Sequence, residues 1–203
     1  MENANMNYRN NGNMNAYIEL YEAAKALVEA LDKGAEKLLP QDIVDVVKLH
    51  SKLAVGSAMI PVPGADVVAG AANIWGMYLR INSKIGLSVK ENVIKTISSG
   101  VATNLASYAA MVGVGSAIKA IPGIGTITGT ALIAASLYAI TLCAGYVYLQ
   151  ALTLLAKRNG SNFNPSDISN AIDEVLKHKD VIRNFIKTAK KDYKKEENAE
   201  IHS

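Results

Sequence analysis

The residues that could do chemistry are few and far apart in this chain. Three histidines, His50, His178 and His202, are widely separated, and the single Cys143 has no second cysteine with which to bind a metal or form a disulfide. No G-x-S-x-G signature groups a serine with a histidine and an acid. We therefore expect no catalytic residue, no metal site and no cofactor, and we expect His50 on the polar side of its helix.

The glycines also lack the spacing of a phosphate-binding loop. Gly113, Gly115 and Lys119 do not form G-x-x-x-x-G-K-[ST], and the glycines from Gly123 onward miss G-x-G-x-x-G, with no strand before them. Turn and helix-packing roles are therefore expected for the motif residues of the central segment. These are Pro61, Pro63, Gly64, Asp66, Pro122, Gly123, Gly125 and Gly129.

Asp66 is the one acid in a long apolar run, and it has two interpretations. An isolated carboxylate within a membrane segment could relay protons or ions. Alternatively, an acid just after Pro63-Gly64 is placed to interact with the free N–H groups and the dipole at the start of a helix. We favour the second interpretation, because Gly64-Ala65-Asp66 is where a helix would begin.

Charge is distributed unevenly along the 203 residues that must position these groups. Residues 1–52 carry six basic and eight acidic residues and residues 157–203 carry ten and eight, whereas the longer stretch 53–156 carries only five and two. A soluble domain is usually about a quarter charged, so this centre is a deeply buried core or lies in lipid. The net charge of +3, with basic residues interspersed among acids, predicts no nucleic-acid binding.

Apolar periodicity predicts an all-α chain. Residues 17–39 repeat apolar side chains at three and four, and Pro40 ends that helix and begins another. Ser88 and Glu91 have the spacing of a capping box and predict a helix start near Val89. Asn164-Pro165 predicts a final amphipathic helix as far as Tyr193.

The charge-poor centre contains an internal repeat. Val55-Gly56-Ser57-Ala58 recurs as Val114-Gly115-Ser116-Ala117, and Pro63-Gly64 recurs in the same register as Pro122-Gly123. Each copy is predicted to form a helix, a Pro-Gly turn and a second helix. The expected fold is a helical bundle built on two Pro-Gly helical hairpins.

Only the second hairpin has arms long enough to span a bilayer. Thr96–Ile118 and Ala120–Ala156 carry no charge, and each exceeds the roughly 20 residues that a spanning helix needs, whereas Asp66 divides the first hairpin into shorter pieces. Basic flanks on both sides predict that the tails face the cytoplasm. However, more than half of positions 96–156 are Gly, Ala, Ser or Thr, so a soluble bundle that buries this hairpin stays open. We favour membrane insertion.

Short motifs in this centre resemble the YcjF-like family. They are Ile60-Pro61-Val62-Pro63-Gly64-Ala65-Asp66, Met77, Ile85-Gly86, Ile121-Pro122-Gly123-Ile124-Gly125 and Thr141-x-x-x-Gly145. That family comprises hydrophobic bacterial domains of unknown function, often found beside or fused to small GTPases. The resemblance covers about residues 43–155 and implies an all-α, membrane-associated accessory domain. This chain has no GTPase domain of its own, so a GTPase partner would be a separate protein.

Four segments and two function classes follow. The segments are an Asn-rich, disordered leader (1–16), amphipathic helices (17–52), a hydrophobic double-hairpin domain (53–156), and a linker with a charged amphipathic C-terminal helix (157–203).

The first function class is a non-enzymatic membrane-associated adaptor whose hairpin anchors it and whose helices bind a partner, with homo-oligomerisation left open. The second is a colicin-like pore-forming effector, whose soluble bundle releases the hairpin into a target membrane.

The expected location follows from the first class. An adaptor with a spanning hairpin predicts the bacterial inner membrane with both termini cytoplasmic. The alternatives are a soluble cytoplasmic protein and export by a specialised route, since no basic start followed by an apolar stretch predicts classical secretion.

Overall fold

The computed structural model describes residues 16–31, 39–56, 65–111, 127–160 and 164–201. These residues form seven α-helices and no strand, so the prediction of an all-α bundle is confirmed. Except for Ala16, the predicted leader lies outside the described residues, as do both Pro-Gly turns. The helices are α1 (Ala16–Ala30), α2 (Pro40–Gly56), α3 (Ala65–Lys84), α4 (Glu91–Met111), α5 (Ile127–Asn159), α6 (Pro165–Leu176) and α7 (Lys179–Ile201).

Two helices begin at the prolines that predicted them. α2 starts at Pro40 and α6 at Pro165, where proline costs no hydrogen bond because the first N–H groups of a helix have no partner within it. At α6, the backbone N–H of Asn164 donates to Oδ2 of Asp167 over 3.3 Å. The first-turn acid therefore fixes the entry of the chain into this helix.

α4 starts at Glu91, two residues after the predicted start near Val89. Gly86 has a φ of 70°, and the N–H of Leu87 donates to the carbonyl of Asn82 over 2.9 Å, which closes the end of α3. The chain then runs outside any helix as far as Lys90, whose carbonyl accepts from the N–H of Ile94. Ser88 is therefore not the cap, because the closure of α3 delays the next helix to Glu91.

The single C-terminal helix predicted from Pro165 is two helices. α6 ends at Leu176, and the N–H of Lys177 donates back to the carbonyls of Asp173 and Glu174. The carbonyl of His178 then accepts from the N–H of Ile182 over 3.1 Å at the start of α7, which continues past Tyr193 to Ile201. No glycine or proline lies at this break, and the apolar spacing continues across it, so the sequence pattern did not reveal it.

α5 lies at the centre of one shared hydrophobic core. Each of the other six described helices packs against it, and the helices of each predicted hairpin, α2 with α3 and α4 with α5, are neighbours. With 33 residues, α5 is about 50 Å long. Many of its side chains are fully buried. They are Ala135, Tyr138, Ala139, Leu142, Cys143, Ala144, Val147, Tyr148, Leu149, Ala151 and Leu152.

Candidate functional site

Most of the predicted motif residues lie outside the described part of the chain. These are Pro61, Pro63, Gly64, Pro122, Gly123 and Gly125. Asp66 is the second residue of α3 and Gly129 the third residue of α5, so both occupy first turns of helices. The site is therefore built from the packing around α5.

Within the described residues, one helical segment is long and apolar enough to cross a membrane. It is Ala131–Asn159, 29 residues within α5, and 72% of its most apolar window is buried by the other helices. The core helix of a soluble bundle has the same length and composition. The other predicted arm, Thr96–Ile118, is described only as far as Met111, so the prediction of two spanning arms stays a prediction.

α2 and α5 approach closely at Gly145. A Cβ atom on Gly145 would lie 3.2 Å from Cβ of Val47 and 2.8 Å from its Cγ2. These distances are below ordinary van der Waals contact, so only glycine fits here without displacement. The missing side chain lets the backbone of α5 lie directly against α2.

Two tyrosines join α3 to α5 through both stacking and hydrogen bonds. The rings of Tyr78 and Tyr148 are stacked with centroids 3.9 Å apart and planes 12° apart. The Tyr78 hydroxyl donates to the carbonyl of Ala144 over 3.0 Å, and the Tyr148 hydroxyl donates to Oδ1 of Asn82 over 2.7 Å. Both hydroxyls are therefore satisfied inside an apolar core, where a lone hydroxyl would be costly. Complete burial raises the pKa of Tyr78 well above its ordinary value, so it stays a neutral donor.

α7 covers the other side of α5 with aromatic contacts. Phe185 stacks on Tyr146 with ring centroids 4.6 Å apart, and Tyr193 meets Tyr138 at 4.9 Å. The C-terminal end of α5 is joined to α6 by a bidentate ion pair, in which Arg158 donates to both carboxylate oxygens of Glu174 at 3.0 and 2.9 Å. α5 is thus held by contacts along its length and at its end.

His50 is buried, so its predicted place on the polar side of α2 is wrong. Only 5% of it is exposed, and its Nδ1 lies 2.8 Å from Oδ1 of Asn73 in α3. Asn73 also donates from Nδ2 to the His50 carbonyl over 2.7 Å, which fixes the amide so that Nδ1 must carry the ring proton. Nε2 has no hydrogen-bond partner among the described residues. The apolar spacing of α2 does not reveal this pair, because its partner lies on another helix.

Burial and a nearby cation both lower the pKa of His50. Burial lowers its pKa below the ordinary value of 6.5, the hydrogen bonds to Asn73 oppose that shift, and the charge of Arg80 adds to it. The ring is therefore neutral at physiological pH. Protonation would place a second N–H in a buried position that offers no acceptor among the residues described.

The described residues contain no cluster of three His, Cys, Asp or Glu side chains that could hold a metal ion. A groove of about 260 Å³ lies where α6 meets α7, between Tyr146, Leu154, His178 and Val181. Its acid, Glu174, is already engaged by Arg158, so the groove shows no free acid and base within reach of each other.

Comparison of the chain with family models, with curated proteins and with solved structures finds no match in any of the three.

Proposed function

We propose that the protein is a non-enzymatic, membrane-active helical bundle that conceals α5 in its core and releases it into a lipid bilayer. The observation that carries this proposal is the position of α5. The one described helix with the length and composition of a membrane span is the helix that the others enclose. This design corresponds to the colicin-like class.

The amphipathic helices around α5 suit both the closed bundle and the opened, membrane-bound form that the proposal requires. In the bundle their apolar faces cover α5, with Leu20, Ile43 and Phe185 fully buried. After opening, the same faces could rest at the membrane interface, where amphipathic helices lie in the plane of the bilayer. The backbone of α5 is hydrogen-bonded within its own helix, as lipid requires. Lys157 and Arg158 in its last turn suit the polar boundary of a membrane.

A reversible lock between α2 and α5 tests the proposal. The variant carries Val47→Cys and Gly145→Cys in a Cys143→Ala background, and Cys143→Ala alone is the control. A Cβ at position 145 lies 3.2 Å from Cβ of Val47, slightly closer than the roughly 3.5–4.5 Å of a disulfide. Val47→Cys replaces both γ-methyl groups that a Cβ at position 145 would meet with one sulfur, which is bonded to the sulfur at 145 rather than packed against it. Circular dichroism and thiol titration establish that the variant is folded and oxidised.

Dye release from liposomes is then measured with and without reductant. We expect the control to release dye in both conditions and the double-cysteine variant only after reduction, because the disulfide holds α5 against α2. Equal release by the oxidised and reduced variant, or intact liposomes with the folded control between pH 4 and pH 7.5, would overturn the proposal.

A second candidate, the membrane-associated adaptor, is favoured by apolar side chains that face outward on α1 and α2. Ile18, Leu49 and Leu53 are 52%, 46% and 55% exposed, and the last two are four residues apart on one face of α2. Such a face fits a partner helix. A GTPase partner, homo-oligomerisation and a bacterial inner-membrane location stay predictions of the sequence.

Extraction separates the adaptor from the effector. An adaptor anchored by α5 stays with native membranes in alkaline carbonate, whereas the concealed bundle is recovered in the soluble fraction without detergent. Soluble recovery together with dye release would exclude the permanent anchor.

A further inference from the structure

Five lysines of α7 lie on one side of the helix. At about 100° per residue they fall within an arc of about 140°. We call this set the α7 lysine face, and its members are Lys187, Lys190, Lys191, Lys194 and Lys195. All are exposed except Lys190, which is partly buried.

The opposite side of α7 fixes this face toward solvent. Ile182, Phe185, Ile186 and Ala189 are fully buried against the bundle. Because that side is packed, α7 cannot rotate about its axis without exposing the core. The lysines are therefore presented as a fixed surface.

Among the described residues, no acid forms an ion pair with these lysines. The ion pairs between described residues involve other cations, namely Lys25, Arg158 and Arg183. The acid within the lysine cluster, Asp192, accepts a hydrogen bond from the N–H of Ala16 over 3.1 Å and so is directed toward α1.

The lysines also act on one another. The pKa of Lys190 is lowered, first by burial and then by the positive charge of Lys194 one turn away. Like charges this close repel, and repulsion is relieved when an anionic surface binds. The lysine face thus has an electrostatic reason to take a polyanionic partner.

We infer that the α7 lysine face is the surface by which the protein docks on a bilayer of anionic lipids. The inference rests on the proposed function and names the lipid class that it requires. Tyr193 of α7 contacts Tyr138 of α5 with ring centroids 4.9 Å apart, so docking through α7 brings the candidate membrane span within one helix of the lipid. A nucleic acid is less favoured, because the face extends over only about 12 Å of helix and the net charge of the chain is only +3.

Vesicle co-sedimentation of the full chain tests the inference. The probes are vesicles of phosphatidylcholine alone and of phosphatidylcholine with about one third phosphatidylserine, each at low and at high salt. The variant is Lys191→Gln/Lys194→Gln/Lys195→Gln. The matched control is Lys52→Gln/Lys84→Gln/Lys90→Gln, which removes the same charge from exposed lysines on other parts of the surface.

Each surface lysine adds about fivefold to binding of an anionic membrane, so the α7 triple variant should bind about a hundredfold more weakly. The unmodified protein should lose binding in high salt and on vesicles without phosphatidylserine. The inference is wrong if the control loses as much as the α7 variant, if neutral vesicles bind equally, or if a DNA duplex binds more tightly through the same lysines.

The oxidised Val47→Cys/Gly145→Cys lock distinguishes this inference from the proposed function. Docking does not require α5 to leave the core, so the locked protein should bind anionic vesicles without releasing dye. If no form of the protein releases dye, the proposed function fails while the docking result stands. If the α7 variant binds and releases dye like the unmodified protein, the docking inference fails alone.

Discussion

Gly145 of α5 lies directly against the side chain of Val47 of α2, with no side chain between the two helices at that point. A Cβ at position 145 would come within 2.8 Å of Cγ2 of Val47. This is the tightest approach among the described glycines, and it joins the central apolar helix to an amphipathic helix that covers it. The close packing of α5 on α2 therefore depends on the absence of a side chain at position 145.

Gly145→Ala should destabilise the protein by about 1 to 3 kcal/mol, because the added methyl group overpacks a core that is already full. Val47→Ala in the same chain should restore part of the loss, since it removes the atoms that the methyl group meets. Urea unfolding followed by circular dichroism measures both. Gly100→Ala is the matched control. No atom lies within 4 Å of its added Cβ, so it should gain about 0.5 to 1 kcal/mol. Equal losses at both glycines would contradict the close approach.

Tyr148→Phe should destabilise the protein more than Tyr78→Phe, although the two rings stack on each other. Without the Tyr148 hydroxyl, Oδ1 of Asn82 loses its donor in a buried site whose Nδ2 already has no partner among the described residues. We expect a loss of about 1 to 3 kcal/mol. Tyr78→Phe should cost about 0.5 to 1.5 kcal/mol, because the Ala144 carbonyl keeps its bond within α5. Chemical unfolding of both variants checks the order, and a larger loss for Tyr78→Phe would contradict it.

Phe185→Ala should loosen α7 from the bundle. The ring is fully buried against Tyr146, and its removal leaves a cavity that costs about 3 to 5 kcal/mol. Val181→Ala on the same helix is the control, because Val181 is 47% exposed and its truncation should cost about 0.5 kcal/mol or less. Amide hydrogen exchange should show faster exchange across α7 in the first variant. Unchanged exchange there would mean that α7 is held by other contacts.

His50 should make the stability of the protein fall in mild acid. Its folded pKa lies below the ordinary value of 6.5, so the unfolded chain binds the proton first as the pH drops. Stability is therefore present above about pH 6.5 and is lost as the pH falls from there toward the folded pKa. His50→Gln removes this titration. The free energy of unfolding of the variant should change less between pH 7.5 and pH 5 than that of the unmodified chain.

The His50→Gln variant is needed as a reference because the pKa of Glu19 shifts in the opposite direction to that of His50. Half-burial raises the pKa of Glu19, so its protonation favours the folded state as the pH falls. The difference between the two stability profiles isolates His50. Parallel profiles would show that the ring is not held neutral by its burial and its contact with Asn73.

Local rules in the sequence predict much of the fold. Apolar spacing and prolines predict the helical class and the starts of α2 and α6, because these depend on nearest neighbours along the chain. The break at Lys177 was missed, since it is closed by backbone bonds rather than by glycine or proline. The His50–Asn73 pair was also missed, because residues so distant along the chain meet only when α2 packs on α3.

Composition alone predicts that much of the stretch 53–156 is removed from water, because so long a segment with so few charges is poorly solvated. It does not say what removes the segment, since a protein core and a lipid bilayer accept the same apolar helix. In the structure, the protein itself removes α5 from water, because the six other described helices lie against it. Gly145 and the Tyr78–Tyr148 stack provide the close contacts that let protein take the place of lipid around it.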